Sequence, residues 1–183
     1  MDYYEPDIDS YLLKSVLEKE ISKLIKHNKN LKFFEVGCGS GIQLQSALNY
    51  GIKKENIFSC DINSKAVNYC KKLGFNCVKS KLFEKINKKV NFDIIVFNPP
   101  YLPEDKNEPH DSKLSTTGGK KGSEIINKFL KQVKNYIDKK GIILILTSSL
   151  TKGINFKGYN KKLLASKKLF FEELYVFKLN LIE

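Results

Sequence analysis

The chain has 183 residues, 42% of them hydrophobic, and a formal net charge of +12. This length suffices for one domain with a substantial core and is too short for two large ones, so we expect residues 1–183 to form a single domain. No apolar run reaches the roughly 20 residues of a membrane span, and the N-terminus is acidic where a signal peptide is basic and apolar. We therefore expect a cytoplasmic protein with no membrane partner.

All 32 basic residues are lysines. Proteins that read nucleic acids usually rely on the bidentate fork of arginine, so the charge predicts at most an indirect association with a polyanion such as the ribosome. The four cysteines form no Cys-x-x-Cys pair, and the two histidines are far apart in sequence. This spacing predicts no metal site.

Helical and strand patterns alternate along the first half of the chain. Asp9 or Ser10 is expected to cap a first helix that runs to about His27, with apolar residues recurring every three or four positions. The next segments predict a strand in "LKFFEV", a helix in "IQLQSALNY", a strand in "NIFSC", a helix in "SKAVNYCKKL", and strands in "FNCVK" and "FDIIVF".

The second half continues the same pattern after a long loop. The segment "SEIINKFLKQVKNYIDKK" predicts a helix that Gly141 stops, and "IILILT" predicts a buried strand. The stretches around "LLASKKL" and "ELYVFKLN" are two further strand candidates. This alternation predicts an α/β fold with a doubly wound, largely parallel sheet.

The first strand leads directly into "EVGCGSG" and a helix. Gly37, Gly39 and Gly41 allow the backbone to turn sharply and to approach a bound molecule at the positive end of that helix. The phosphate pattern G-x-G-x-x-G is not matched, because Ile42 stands where the third glycine would be. Glu35 would also repel a pyrophosphate, so the loop favours a cofactor that carries a cationic amino-acid group.

Asp61 closes the second predicted strand in "FSCDIN". A carboxylate at this position can accept both ribose hydroxyls of an adenosine, as it does generally in doubly wound nucleotide sites. A tight turn with a solvated aspartate is the alternative.

The segment "FDIIVFNPPY" ends an apolar strand with Asn98, two prolines and Tyr101. Proline cannot donate to a sheet, so the strand must end at about Asn98. Ligands bind at the carboxyl ends of strands in open α/β sheets. The motif therefore predicts an amide and an aromatic ring beside a ligand, with ordinary packing beside a proline turn as the alternative for Tyr101.

The segments "EVGCGSG", "DIN" and "NPPY", in this order, resemble class I S-adenosylmethionine-dependent methyltransferases of the amino-group type. The stretches "YEPDIDSYLL", "GGKKGSEIINKFL", "TSSL" and "KKLFFEELYVFKL" extend the similarity over nearly the whole chain. Together they resemble the archaeal and eukaryotic branch of the HemK/PrmC protein glutamine methyltransferases, which modify the glutamine of the GGQ motif in class I translation release factors. The resemblance implies a Rossmann-like, mostly parallel seven-stranded sheet with an antiparallel strand near the C-terminus.

The resemblance also implies a role for individual residues. It implies that the N-terminal segment and helix, residues 1–30, close over the cofactor. Around S-adenosylmethionine it places Tyr4, Ser10, Glu35, Gly37, Gly39, Gly41, Asp61 and Asn98. Asn98 and the Pro99 carbonyl would accept hydrogen bonds from the substrate nitrogen, and Tyr101 would stack on the amide plane.

The motif "NPPY" is shared with adenine N6 methyltransferases of DNA and RNA, so it specifies the chemistry rather than the substrate. The alternatives to a release-factor glutamine methyltransferase are an adenine-specific nucleic-acid methyltransferase, a protein lysine methyltransferase that uses the same pocket, and a cofactor-binding protein that has lost activity. The intact motif argues against the last. The lack of arginine, and of residues for a separate base-recognition region, argues against the nucleic-acid enzyme.

Two residues and one loop differ from the family pattern or have an open role. Lys81 stands where an acidic residue often meets the adenine, and Thr117 stands where an aromatic residue often precedes the glycine pair. The loop from Leu102 to Thr117 either covers the substrate or is a mobile solvated loop.

The strand from Phe75 to Lys79 is expected at one edge of the sheet, where the resemblance implies a small zinc-binding activator protein.

Overall fold

The computed structural model describes residues 5–105, 109 and 113–182. The helices are α1 (Ile8–Leu24), α2 (Ile42–Asn49), α3 (Ser64–Lys72), the short α4 (Lys113–Thr116) and α5 (Glu124–Val133), with a 3₁₀ turn at Lys54–Asn56. The strands are β1 (Phe33–Val36), β2 (Ile57–Asp61), β3 (Asn76–Lys79), β4 (Phe92–Phe97), β5 (Leu102–Pro103), β6 (Thr117–Gly119), β7 (Ile137–Ser148), β8 (Tyr159–Lys168) and β9 (Glu173–Leu181).

Seven strands form the main sheet in the order β3-β2-β1-β4-β7-β9-β8. The pairs from β3 to β7 are parallel, whereas β9 runs antiparallel to both β7 and β8. The predicted fold is therefore confirmed, including the antiparallel strand near the C-terminus. The strand order reverses between β1 and β4, and in such sheets the ligand site lies at the carboxyl ends of the strands beside that point.

Helices cover both faces of the sheet. On one face, apolar side chains of α1, α2 and α3 pack against Phe33, Ile94 and Leu144. On the other face, Phe129 of α5 packs with residues of the alternate set on the same strands, such as Phe34 and Ile95. This burial on both faces explains why β4 and β7 are nearly continuous apolar runs. Within the described residues, no helix is long and apolar enough to cross a membrane.

The first helix begins earlier than the sequence predicts. Asp7 is its N-cap, with its side chain accepting a hydrogen bond from the Ile8 amide, so the prediction of Asp9 or Ser10 as the cap is wrong. Asp9 and Ser10 instead lie in the first turn of α1 and are buried. The helix ends at Leu24 and is followed by a turn through His27.

The helix predicted to run up to Gly141 is too long. α5 ends at Val133, and the chain turns at Asn135 and Tyr136 to enter β7 at Ile137. The amide of Phe92 donates to the Tyr136 carbonyl at 2.8 Å, and Tyr136 and Ile137 are both buried. Pairing with β4 therefore overrides the helical pattern, and Gly141 lies inside a strand rather than at a helix end.

Candidate functional site

The glycine loop joins β1 to α2 at the carboxyl end of the sheet. Gly37, Gly39 and Gly41 all have positive φ angles, of 74°, 46° and 78°. This left-handed conformation strains any residue with a Cβ, so glycine is required at these turns. The amide of Gly37 donates to the carbonyl of Cys60 at 2.7 Å, which fixes the loop over the end of β2.

Asp61 lies directly beneath this loop. One carboxylate oxygen accepts from the Gly39 amide at 3.0 Å, and the other accepts from the Asn63 amide at 2.8 Å. Burial raises the pKa of Asp61, although these backbone hydrogen bonds act in the opposite direction. Asp61 is only partly buried, so a ligand can reach its carboxylate. The structure thus brings Asp61 and the predicted glycines together.

Glu35 lies on β1 and is only 3% exposed. Among the described residues, no donor reaches its Oε2 atom. Burial, followed by the nearby Asp61 and Cys77, raises the pKa of Glu35 well above its ordinary value of 4.5. An amino group of a ligand would supply both the missing donor and a compensating positive charge.

The "NPPY" motif begins where β4 ends at Phe97, as the sequence predicts. The amide nitrogen Nδ2 of Asn98 donates to Asp9 Oδ2 at 3.1 Å, and the Tyr101 hydroxyl lies 3.5 Å from the same oxygen. The amide oxygen Oδ1 of Asn98 is buried, and no donor within the described part of the chain reaches it. Because the NH₂ group is turned toward Asp9, this oxygen is the atom that Asn98 offers to a ligand.

Asp9 was not among the predicted site residues. It is 5% exposed and connects the first turn of α1 to both polar members of the motif. Its position in the "YEPDIDS" stretch, which resembles the family, could have indicated a place in the site. The sequence pattern instead indicated Asp9 as a helix cap.

The N-terminal segment also contacts α2. Ser10 is buried, and its carbonyl oxygen accepts from Gln43 Nε2 at 2.9 Å. Tyr4 lies outside the described residues, so its predicted place over the cofactor stays a prediction.

Two glycines of the middle stretch pack tightly against the motif. A Cβ on Gly118 would overlap the Pro100 carbonyl oxygen, and one on Gly122 would overlap the Tyr101 carbonyl oxygen. The Tyr101 carbonyl also accepts from Thr151 Oγ1 at 2.8 Å, in the segment after β7. The family-like stretch "GGKKG", together with Thr151 directly after "TSSL", therefore supports the backbone of the motif.

The structure also describes Lys81, Ser80 and part of the loop from Leu102 to Thr117. Lys81 is exposed, and the hydroxyl of Ser80 already accepts from the Lys85 amide at 3.0 Å. The pairing of β5 with β6 joins the two ends of the loop from Leu102 to Thr117. Its Glu108, His110 and Asp111 lie outside the described residues.

Comparisons with known proteins agree with this geometry. Residues 72–179 match the family model described as Eco57I restriction-modification methylase. The chain is 36% identical to a putative protein N5-glutamine methyltransferase of Methanocaldococcus jannaschii, over 96% of this chain and 90% of that protein. It is 30% identical to the eRF1 methyltransferase catalytic subunit mtq2 of Schizosaccharomyces pombe, over 82% of this chain and 74% of that protein.

A solved structure is similar over the full length of both chains. It is the E. cuniculi Mtq2-Trm112 complex, described as responsible for the methylation of the eRF1 translation termination factor, with a TM-score of 0.75 and 26% identity.

Proposed function

Since this chain belongs to the protein N5-glutamine methyltransferase family, we propose that it transfers a methyl group to the side-chain amide nitrogen of the GGQ glutamine in a class I translation release factor. The enzyme is an S-adenosylmethionine-dependent N-methyltransferase.

The observation that carries the proposal is the Asn98 amide. Its oxygen is buried and unpartnered among the described residues, while its nitrogen is held by Asp9. A buried acceptor without a donor is costly, by about 1 to 3 kcal/mol, and a substrate N–H group removes that cost. The oxygen thus favours a substrate that brings a hydrogen-bond donor to this position.

Glutamine fits such a device because its amide nitrogen is a poor nucleophile, with a lone pair delocalised into the carbonyl. Asn98 Oδ1 and the Pro99 carbonyl would each accept one amide hydrogen, and the Tyr101 ring would stack on the amide plane. Two fixed acceptors direct the remaining lone pair toward an electrophile, so catalysis is mainly orientation and electrostatic stabilisation.

The cofactor supplies an electrophilic sulfonium methyl group. The glycine loop would lie against it through backbone atoms, Asp61 would accept from the ribose, and Glu35 would face its amino group. The positive φ angles of the glycines, the partial exposure of Asp61 and the Glu35 oxygen without a donor among the described residues support this arrangement. Residues 1–30 would close over the site, with Ser10 and Tyr4 at the cofactor.

An Asn98→Ala variant tests the proposed chemistry. We expect no methyl transfer to the release factor, while calorimetry shows that S-adenosylmethionine still binds. A release factor whose GGQ glutamine is replaced should accept no methyl group from the wild-type enzyme. Methylation of that replaced substrate would refute the glutamine assignment.

The match to a restriction-modification methylase model makes nucleic-acid methylation the competing function, and adenine is the base that the "NPPY" resemblance implies. Matched assays with duplex DNA and single-stranded RNA, at the same substrate concentration, separate the two. Faster labelling of either nucleic acid than of the release factor would favour the adenine enzyme. Labelling of a lysine in the release factor, identified by peptide mass spectrometry, would favour the lysine enzyme.

A small zinc-binding partner at the β3 edge is the second part of the proposal. β3 is the terminal strand of the sheet, as predicted, and Val78 on it is 42% exposed. Tyr69 and Leu73 of the neighbouring α3 are also exposed. An open edge with apolar side chains favours strand pairing with another chain. A cytoplasmic location follows as a proposal, because the proposed substrate acts in translation.

Val78→Lys tests the partner edge, since a charged side chain on an edge strand opposes pairing. Co-expression with a candidate partner should yield a heterodimer for the wild type and little complex for this variant. Leu163→Lys is the matched control, because Leu163 is 49% exposed on β8, the opposite edge. Full activity of the wild-type chain alone, with no gain from any partner, would contradict the proposal.

A further inference from the structure

Three cysteines from different elements meet inside the protein. Cys38 lies in the glycine loop, Cys70 on α3 and Cys77 on β3. Their Sγ atoms all lie within 4.8 Å of one another, and the residues are 2%, 0% and 3% exposed. Cysteine thiols on three separate elements thus converge on one point.

The polar surroundings of the cluster suit a bound cation. The Ser59 hydroxyl lies 2.7 Å from Cys77 Sγ, at hydrogen-bond distance, and can donate to a thiolate. The carboxyl of Asp61 is hydrogen-bonded to Cys38, and the carboxyl of Glu35 interacts electrostatically with Cys77. Lys71 also interacts electrostatically with Cys77. The three sulfurs are thus bordered by polar groups and not by apolar side chains alone.

The fourth cysteine, Cys60, has different surroundings from the other three. Cys60 is buried on the other face of the sheet, and its thiol donates to the Leu82 carbonyl at 3.1 Å. It therefore behaves as an ordinary core cysteine with a local acceptor, and it lies outside the three-sulfur cluster.

The dimensions of the cluster are close to those of a thiolate metal site. With metal–sulfur bonds of about 2.3 Å, the sulfurs of a tetrahedral site lie about 3.8 Å apart. The observed limit of 4.8 Å requires side-chain shifts of only about 1 Å to reach that spacing. Thiolate ligands select soft cations such as Cu⁺ and Zn²⁺ over the hard Mg²⁺ and Ca²⁺.

We propose that Cys38, Cys70 and Cys77 form a binding site for one thiophilic d¹⁰ cation, Zn²⁺ or Cu⁺. Each thiol that binds loses its proton to the solvent. Cu⁺ would take the three sulfurs alone, whereas Zn²⁺ would add a fourth ligand.

A bound cation would connect the glycine loop, α3 and β3. Cys70 Sγ lies 3.7 Å from the Gly39 carbonyl oxygen, and a Cβ on Gly41 would lie 3.2 Å from the same sulfur. The site therefore lies directly below the loop assigned to the cofactor and behind the edge assigned to a partner. It does not depend on either assignment.

Metal analysis of tag-free full-length protein tests the proposal. The chain is expressed in medium supplemented with zinc or with copper, purified without oxygen, and desalted, since buried ligands have to load during folding. We expect one equivalent of metal per chain by elemental analysis and native mass spectrometry. Comparison of the two media identifies the cation.

Cys77→Ala should lose the metal, and Cys60→Ala should retain it. X-ray absorption of the loaded wild type needs no variant and should show three sulfur neighbours at about 2.3 Å. The proposal would be overturned if the wild-type protein from both media contained no metal, or if the Cys77→Ala variant contained as much metal as the wild type. It would also be overturned if X-ray absorption showed only nitrogen and oxygen neighbours around the metal. A mass two hydrogens lower, which reports a disulfide in the freshly purified chain, would overturn it as well. These measurements do not involve methyl transfer, so the proposed function can fail separately.

Discussion

Asp9 accepts a hydrogen bond from the Asn98 amide nitrogen, and this contact decides which atom Asn98 presents to the site. A carboxylate can only accept, so it selects the orientation in which the NH₂ group faces α1 and the oxygen faces away. The Asp9 side chain thus determines the orientation of the Asn98 amide, although the two residues are 89 positions apart in the sequence. Asp9 is accordingly a positioning residue for the proposed transfer.

The first prediction concerns Asp9→Asn. An amide at position 9 can donate to Asn98 Oδ1 and stabilise the flipped orientation, so kcat should fall by about 10- to 100-fold, as for a misoriented catalytic group. The KM for the release factor and the melting temperature should change little. Asp7→Asn is the matched control, because Asp7 caps the same helix but does not contact Asn98 in the structure. Equal kcat values for the two variants would refute the positioning role.

Asp61→Ala gives the second prediction. Loss of the carboxylate removes the acceptor for the Gly39 and Asn63 amides and for the proposed ribose contact. The affinity for S-adenosylmethionine should fall by about 1 to 3 kcal/mol, measured by calorimetry. Asp138→Ala, at the opposite end of the sheet where β7 begins, should leave the affinity unchanged. An unchanged affinity in Asp61→Ala would reject its assignment to the cofactor.

At the scale of elements, local patterns predicted the strands well where burial on both faces made them apolar. β1, β4 and the central part of β7 follow directly from "LKFFEV", "FDIIVF" and "IILILT". The end of α5 could not be predicted in this way, because "NYIDKK" continues a helical pattern. What ends the helix is the long-range pairing of Tyr136 and Ile137 with Phe92.

The β8–β9 hairpin carries an unusual tip. Phe170 and Phe171 are 92% and 84% exposed and contact each other with ring centroids 4.6 Å apart. The tip lies at the carboxyl end of the sheet, because the Ser149 amide donates to the Glu173 carbonyl at 2.8 Å just after β7. Exposed aromatic residues near a site often contribute strongly to the binding of a protein partner.

The third prediction follows from that position. The double variant Phe170→Ser with Phe171→Ser should weaken binding of the release factor by about 2 kcal/mol, seen as a raised KM with unchanged kcat. Cofactor affinity should stay the same. Ile182→Ser is the control, since Ile182 is 55% exposed just after β9, at the other end of the same strand. A KM that does not change in the double variant would exclude the hairpin tip from substrate docking.

At the scale of the whole molecule, sequence could place each motif on its element but not every contact between elements. Asn98, Asp61 and the glycines could be predicted together because the carboxyl ends of parallel strands meet at one edge. The three cysteines could not, because Cys38, Cys70 and Cys77 carry no ligand-like spacing and meet only when α3 packs over β3. Asp9 joins the site because the N-terminal helix packs across the sheet.

Glu20 fixes that helix to the C-terminal strand. It is 4% exposed, and its Oε2 lies 3.1 Å from Lys178 Nζ of β9, while its Oε1 accepts from Lys23. Burial alone would raise the pKa of Glu20, but the hydrogen bonds from Lys23 and Lys178 outweigh it and hold the pKa below the ordinary value of 4.5. The folded protein therefore binds this proton less readily than the unfolded chain does.

The last prediction gives the pH dependence of this contact. Because the folded pKa is lowered, the stabilisation by Glu20 is complete above pH 4.5 and is lost as the pH falls through the folded value. Glu20→Gln should lower the free energy of unfolding by about 1 to 3 kcal/mol at neutral pH. Urea unfolding at decreasing pH should show the wild type and the variant converging below 4.5. Glu55→Gln is the control, because Glu55 is exposed, and its free energy of unfolding should equal that of the wild type at every pH. If the loss of stability in Glu20→Gln stayed constant with pH, packing rather than charge would hold α1 to β9.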